Sequence, residues 1–362
     1  MASVTIFCRI VDYFGDAGFC WRLSVALRAL GVARVLLVID RLTVLDDLRG
    51  PHRVDGVTVV PWNVVEARWQ REGVPESHKA DLVIEAFACS PPMTYLESLG
   101  PHAQWLTLDY LATEPWADQA HGRASPHPRL SHPMASRRQW WVPGFSSSTG
   151  GLLHGSWRHI SADERRVWRA RLAGREISDD TFLVMAFGYA DADWPQLTRL
   201  MQHRLPSGFK TAMLWQPKGI DYSQAEFDEI LQSCDLNFVR GEDSFVRAHW
   251  AAAGPWRVPF VWQPYRQADH AHGHKLGGWI HQVLKDPALG ALAELHWAWN
   301  GIRPAEMHAD LSLALAWKGF CATYPRLVER LHKACLHTAI QPSLEANLMS
   351  LLRTDPGPEH SV

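Results

Sequence analysis

Two aspartates four residues apart carry the most pointed chemistry in this chain. They lie in Asp12-Tyr-Phe-Gly15-Asp16-Ala-Gly18, between an apolar run and a helical pattern. Carboxylates converging on one short turn can grip a cation or take a proton from a nucleophile. The same residues also suit plainer work, with Asp16 capping a helix and Asp12 capping a turn. Gly15 and Gly18 permit tight turning and close backbone approach. The spacing is not the GxGxxG of a dinucleotide site, which counts against a nicotinamide-dependent oxidoreductase.

A second constellation is Asn237-Phe-Val-Arg240-Gly241-Glu242-Asp243-Ser244-Phe245-Val246-Arg247. A β-rich run enters a glycine and then a helical pattern. A helix N-terminus with free N–H groups suits a diphosphate, and Arg240 can add charge-assisted hydrogen bonds. Glu242 and Asp243 would repel phosphate, so direct contacts from them belong to ribose or sugar hydroxyls. A third is Phe187-Gly188-Tyr189, where aromatic rings can stack on a base. Asp191-Ala-Asp193 has the form of a metal-binding DxD and is read as coincidence. GxSxG, GxxxxGK[ST] and HExxH are absent, which removes the common hydrolase, NTPase and zinc-protease readings.

The elements that must hold these residues come in two series. Val4–Val11 reads as a buried strand and Phe19–Leu30 as a helix, followed by strands at Val35–Ile39, Val57–Val60, Leu82–Ala86 and Trp105–Leu108. A run rich in Gly, Pro, Ser and His follows, from His121 to about Ser156. The alternation then restarts with strands at Phe182–Phe187, Thr211–Trp215, Leu236–Val239 and Pro259–Trp262, and is mostly helical from His272. Two doubly wound α/β series predict two Rossmann-like domains with parallel sheets facing across a cleft, ligands lying beyond the carboxyl ends of the strands. The expected division is residues 1–155, residues 156–335, and a C-terminal helical segment 336–362 that packs back on the first domain.

The 362 residues are ample for two cores. A formal net charge of -2 gives no footprint for nucleic acid. Charge is uneven, however. No Asp or Glu lies between Asp118 and Asp163, a stretch with Arg123, Arg129, Arg137, Arg138 and Arg158 and five histidines. This reads either as a solvated loop region or as a positive surface for an acidic partner. The six cysteines form no CxxC pair, so neither a disulfide framework nor a zinc site is expected. The N-terminus meets acids too early for a signal peptide, and no apolar run approaches a membrane span, so the expected compartment is the cytoplasm.

Taken together, VDYFGDAGFCWRLSVAL, DLVIEAFAC, LDYLATEPW, HGRASPHP, PGFSSSTGGLL, CDLNFVRGEDSFVRAHWA and PFVWQPYRQADHAHGHKL resemble the elongation factor P arginine rhamnosyltransferases, in order and over most of the chain. The resemblance implies a GT-B fold and inverting transfer of L-rhamnose from TDP-β-L-rhamnose to an arginine of elongation factor P, without metal. The modified factor then rescues ribosomes stalled on polyproline. The family's paired aspartates match Asp12 and Asp16, and its nucleotide-binding aromatics match Phe187 and Tyr189. Its donor motif matches Arg240, Gly241, Glu242, Asp243 and Ser244, with Gln224 and Tyr265 as further donor residues. Gly15, Gly18 and Tyr110 are candidates for the acceptor and its loops. Three departures stand out: Tyr13 replaces an Asn, AAAGPWR is inserted between Trp250 and Val258 near the donor site, and PYRQ replaces IYPQ.

The implied acceptor explains why two acids are needed. An arginine guanidinium has a pKa above about 12, so its full deprotonation at pH 7 costs on the order of 7 kcal/mol. One carboxylate must hold the fork while another removes a proton as the bond forms. Asp16 is assigned as base and Asp12 as orienter, or the reverse. Ser244 and Arg240 would stabilise the leaving TDP. The rival readings are a GT-B enzyme with a small-molecule or lipid acceptor, and a binding module, which would have no need of the acid pair.

Overall fold

The computed structural model describes residues 2–49, 53–126, 138–217, 222–266, 271–304 and 311–353. The chain divides into two compact units, Met1–Ser156 with Gln341–Val362, and Trp157–Ile340.

In the first unit the strands are β1 (Ser3–Cys8), β2 (Arg34–Ile39), β3 (Val57–Pro61), β4 (Leu82–Ala86), β5 (Gln104–Leu108) and β6 (Gln139–Trp141). Its helices are α1 (Tyr13–Ala29), α2 (Leu42–Arg49), α3 (Trp62–Glu72), α4 (Met93–Glu97) and α5 (Trp116–Ala120). The sheet is parallel, in the order β3-β2-β1-β4-β5-β6. β1 and β4 are buried along their whole length, because helices cover both faces. Alternate side chains feed two cores. Ile6, Cys8, Leu82 and Ile84 join one with Leu23 and Leu27 of α1. Phe7 and Val83 join the other, where Phe7 meets Trp62 and Tyr95 edge-on at 5.3 and 4.8 Å.

In the second unit the strands are β7 (Thr181–Ala186), β8 (Thr211–Trp215), β9 (Leu236–Arg240) and β10 (Phe260–Gln263), in a parallel sheet ordered β10-β9-β7-β8. The helices are α6 (Ala162–Ala173), α7 (Trp194–His203), α8 (Gln224–Ser233), α9 (Asp243–Ala253), α10 (Ala271–Val283), α11 (Gly290–Asn300) and α12 (Leu313–Ala339). Both α6 and α8 start with a full capping box, Ser161 with Glu164 and Ser223 with Glu226. The last helix, α13 (Leu344–Arg353), belongs to the first unit, where Leu344, Leu348 and Met349 enter the α1 core. α12 is continuous to Ala339, so the chain returns to the first unit after that helix and not at residue 336.

Three local features depart from the sequence expectation. β1 stops at Cys8, because the Ile10 N–H donates to Asp40 at 3.0 Å and the Ile10 carbonyl accepts from Arg41 at 2.8 Å, outside the ladder. α1 begins at Tyr13, six residues before the expected Phe19. β6 is a short edge strand inside the Gly-, Pro- and Ser-rich run, which read as loop. Among the described residues no helix is long and apolar enough to cross a membrane.

Each strand order reverses at one place, between β1 and β4 in the first sheet and between β7 and β9 in the second. The loops leaving such neighbouring strands part in opposite directions and open a crevice at their carboxyl ends. The first crevice receives the β1–α1 turn with Asp12 and Asp16. The second receives Phe187–Tyr189 after β7 and Arg240–Ser244 after β9.

Candidate active site

In the first unit Asp16 organises the turn that carries it. Its Oδ2 accepts from the backbone N–H groups of Val11 and Asp12, at 2.7 and 2.9 Å. The Asp12 carbonyl in turn accepts from Gly15 at 2.7 Å, opening α1. Asp12 occupies the N-cap position but makes no capping hydrogen bond with its side chain. Glycine at 15 leaves room for the Asp12 carboxylate, since a Cβ there would sit 2.7 Å from Oδ2 and push that side chain aside. Gly18 is buried one turn further into the helix. Asp16 is only 2% exposed, whereas Asp12 is half-buried.

Burial is the main cause raising the Asp16 pKa above the ordinary aspartate value. The Val11 and Asp12 N–H groups oppose it, the Asp12 charge adds to it, and a hydrogen bond from the Tyr110 phenol lowers it. A carboxylate held more basic than usual, with its orientation set by two N–H groups, is a good proton acceptor. Tyr110, from the loop after β5, lies flat against Phe87 with ring centroids 4.3 Å apart and planes at 12°.

The second unit presents cations and rings. The Arg240 guanidinium lies 4.8 Å from the Phe187 ring centroid and 5.0 Å from that of Tyr189. Tyr265 meets Tyr189 edge-on at 5.9 Å and is 58% exposed. Gly241 takes φ 65, a left-handed turn that lets β9 enter α9 directly. Glu242 is the N-cap residue and Asp243 begins the helix. The Ser244 hydroxyl donates to the Arg240 carbonyl, tying the helix start to the strand end. Gln224 opens α8, and Phe227 one turn along that helix touches Phe187 edge-on at 5.4 Å. The expected donor residues of this unit are therefore gathered around one crevice.

Sequence reasoning missed several supports of this arrangement. Lys275 of α10 forms an ion pair with Glu242, offsetting the negative charge that otherwise argues against phosphate here. Arg247 is fully buried and grips Asp228 with two bonds of 2.9 and 2.7 Å, locking α9 onto α8. Gln263 accepts from the Tyr189 N–H at 3.0 Å. Lys275 and Gln263 lay inside the resembling HGHKL and VWQPYRQ text, but one-sided spacing does not reveal which residue across a sheet they meet.

Asp193 caps α7 by accepting from the Gln196 N–H at 2.9 Å, and Asp191 pairs with Arg266. Both acids of the DxD thus have structural work, and among the described residues no group of three or more His, Cys, Asp or Glu is placed to hold a metal ion. The expected positive surface between residues 118 and 163 is diminished. Arg138 is spent on buried Glu85, and Arg158 pairs with Glu164 and Glu229. Arg129 and Arg137 lie outside the described residues. The AAAGPWR insertion is not beside the donor crevice. It completes the far end of α9, 11 residues and ~16 Å along the helix from Asp243, where the Trp256 indole donates to the Ile160 carbonyl at 3.0 Å.

The model of the family described as Elongation-Factor P (EF-P) rhamnosyltransferase EarP matches residues 4–216 and 220–353. A protein-arginine rhamnosyltransferase of Pseudomonas putida is 32% identical, covering 97% of this chain and 99% of its own. That of Pseudomonas aeruginosa is 30% identical over 96% and 98%. Among solved structures, one described as the structural basis for EarP-mediated arginine glycosylation of translation elongation factor EF-P has a TM-score of 0.57 at 22% identity, over 98% of this chain and 99% of that one. Arabidopsis thaliana UGT89C1 complexed with quercetin has a TM-score of 0.55 at 13% identity over 97% and 98%, a likeness of fold alone. The fold is that of the GT-B glycosyltransferases, and the chain belongs to the EarP family of protein-arginine rhamnosyltransferases.

Proposed function

We propose that this enzyme transfers L-rhamnose from TDP-β-L-rhamnose to an arginine of elongation factor P in the cytoplasm, with inversion and without a metal ion. The observation that carries the reading is the enclosed Asp16 carboxylate, oriented by two N–H groups and made more basic by burial, at the switch point of the first sheet. Asp12 receives the guanidinium fork, and Asp16 takes one N–H proton as the new C–N bond forms. The C–O bond to the diphosphate breaks and TDP departs with the bonding pair. Phe187 and Tyr189 stack on the thymine, while Arg240 and the α9 N-terminus face the growing negative charge. Glu242, held by Lys275, addresses the hydroxyls of the donor.

Incubating the protein with TDP-rhamnose and elongation factor P, and weighing the intact factor, tests this. One added deoxyhexose, lost when the target arginine is changed to lysine, is the expected result. An unmodified factor alongside a rhamnosylated small molecule or lipid would replace the protein acceptor.

A further inference from the structure

The segment after β4 contains a feature that the reaction as described leaves unused. Phe87, Ala88 and Ser90 have φ of 58, 53 and 54, a left-handed conformation that side-chain-bearing residues disfavour. Three such residues within four positions persist only if their surroundings impose them. The restraint is Glu85, 1% exposed at the end of β4. One of its oxygens accepts from the Ser90 N–H at 3.0 Å. The other accepts from the Thr107 hydroxyl at 3.2 Å and from Arg138 at 3.1 Å. Arg138 is itself fixed, donating to the Thr107 hydroxyl at 2.7 Å. The Phe87 N–H donates to the Leu108 carbonyl at 2.7 Å. A buried carboxylate so fully satisfied is a rigid anchor.

What the anchor aims is the Phe87 ring. It lies flat on Tyr110, whose phenol hydrogen-bonds Asp16, and its edge is braced by Phe19 at 5.7 Å. β1 and β4 are neighbours, with Phe7 opposite Glu85, so this loop and the aspartate turn leave the sheet side by side at its switch point.

We propose that Glu85 is a positioning residue for the acceptor arginine: through Ser90 it holds Phe87, Ala88 and Ser90 left-handed, so that Phe87 lies flat on Tyr110 and keeps the phenol on Asp16. The inference rests on Asp16 being the base. Without the stack the phenol leaves the carboxylate, and the site loses both a wall against the guanidinium plane and the hydrogen bond that tempers the basicity of Asp16. The ionisable groups facing that carboxylate are Asp12 on its own turn, Tyr110 after β5 and the Cys8 thiol on β1. Asp40 and Arg41, after β2, hold the adjacent Ile10.

The test follows the Asp16 carboxyl carbon by NMR through a pH titration of the full chain, with Asp16→Asn assigning the signal. Tyr110→Phe sets the full upward displacement of the midpoint, since the lost phenol bond lowers the pKa. Glu85→Gln and Phe87→Leu should each reproduce most of it. Adding Ala88→Gly and Ser90→Gly to Glu85→Gln should bring the midpoint back, because glycine adopts the left-handed form without restraint. The acceptor KM should rise several-fold in the first two variants, with the Kd for TDP unchanged by calorimetry. Phe87→Leu leaves the Glu85 network intact and decides the matter if Glu85→Gln does not fold. An Asp16 midpoint equal to the parent's in folded Phe87→Leu or Glu85→Gln overturns the proposal, whatever the activity. A parent protein that fails to rhamnosylate elongation factor P, with the midpoint shifts intact, overturns the function reading instead.

Discussion

The two crevices are built by one topological rule and filled with opposite chemistry. At the β1/β4 reversal a buried carboxylate is gripped by N–H groups and met by Tyr110, whose ring stacks on Phe87. At the β7/β9 reversal a guanidinium lies over two rings at a helix start, with Tyr265 largely exposed. The first suits a cationic acceptor that must lose a proton. The second suits an anionic donor whose leaving group gains charge. A GT-B enzyme acting on arginine needs this asymmetry, because it must make a poor nucleophile reactive and stabilise a diphosphate within one reaction.

Changing one crevice should therefore leave the other's property alone. The largest effect is expected from Asp16→Asn. Transfer should fall 10²–10⁴-fold, the usual range for loss of a general base, with TDP affinity near normal in calorimetry. Arg240→Ala and Phe187→Ala should do the reverse and weaken TDP binding. A charge-assisted bond is worth about 1.5–3 kcal/mol and a stacked base roughly 1–3 kcal/mol. Equal TDP affinity in both variants would move the donor site elsewhere. The smallest effect should come from replacing Asp191 and Asp193 together with Asn and adding EDTA. Initial rates should stay near the parent's, apart from a modest stability loss as the α7 cap weakens. Inhibition by EDTA that Mn²⁺ reverses would put a metal at that pair.

Much of this was legible in the chain because the signals are local. The parallel strands announced themselves as short apolar runs, and their order placed the aspartate turn and the RGEDS segment at carboxyl ends. What escaped notice depends on partners distant in sequence. The aspartate turn depends on Tyr110, in the loop after β5, which reaches Asp16, and on Asp40 and Arg41, after β2, which hold Ile10. Periodicity puts the start of α1 late because the turn is secured by the Asp16 side chain accepting from residues before the helix, a bond no propensity reveals. Arg138 reads as surface charge because its partner, Glu85, lies 53 positions earlier on β4, which is separated from β6 by β5. The insertion after Trp250 read as close to the donor motif because it is close in sequence, yet a helix carries it to the other end.

The central claim is that Asp16 serves as a base whose proton affinity the fold has raised. The pH dependence of kcat/KM for elongation factor P at saturating donor tests it most directly. The rate should fall on the acid side with a midpoint above that of an ordinary aspartate. That midpoint should move down in Asp12→Asn, which removes the like charge that raises it. The acid limb should vanish from the residual activity of Asp16→Asn. A limb that persists unchanged in Asp16→Asn would contradict the assignment and pass the role of base to another group.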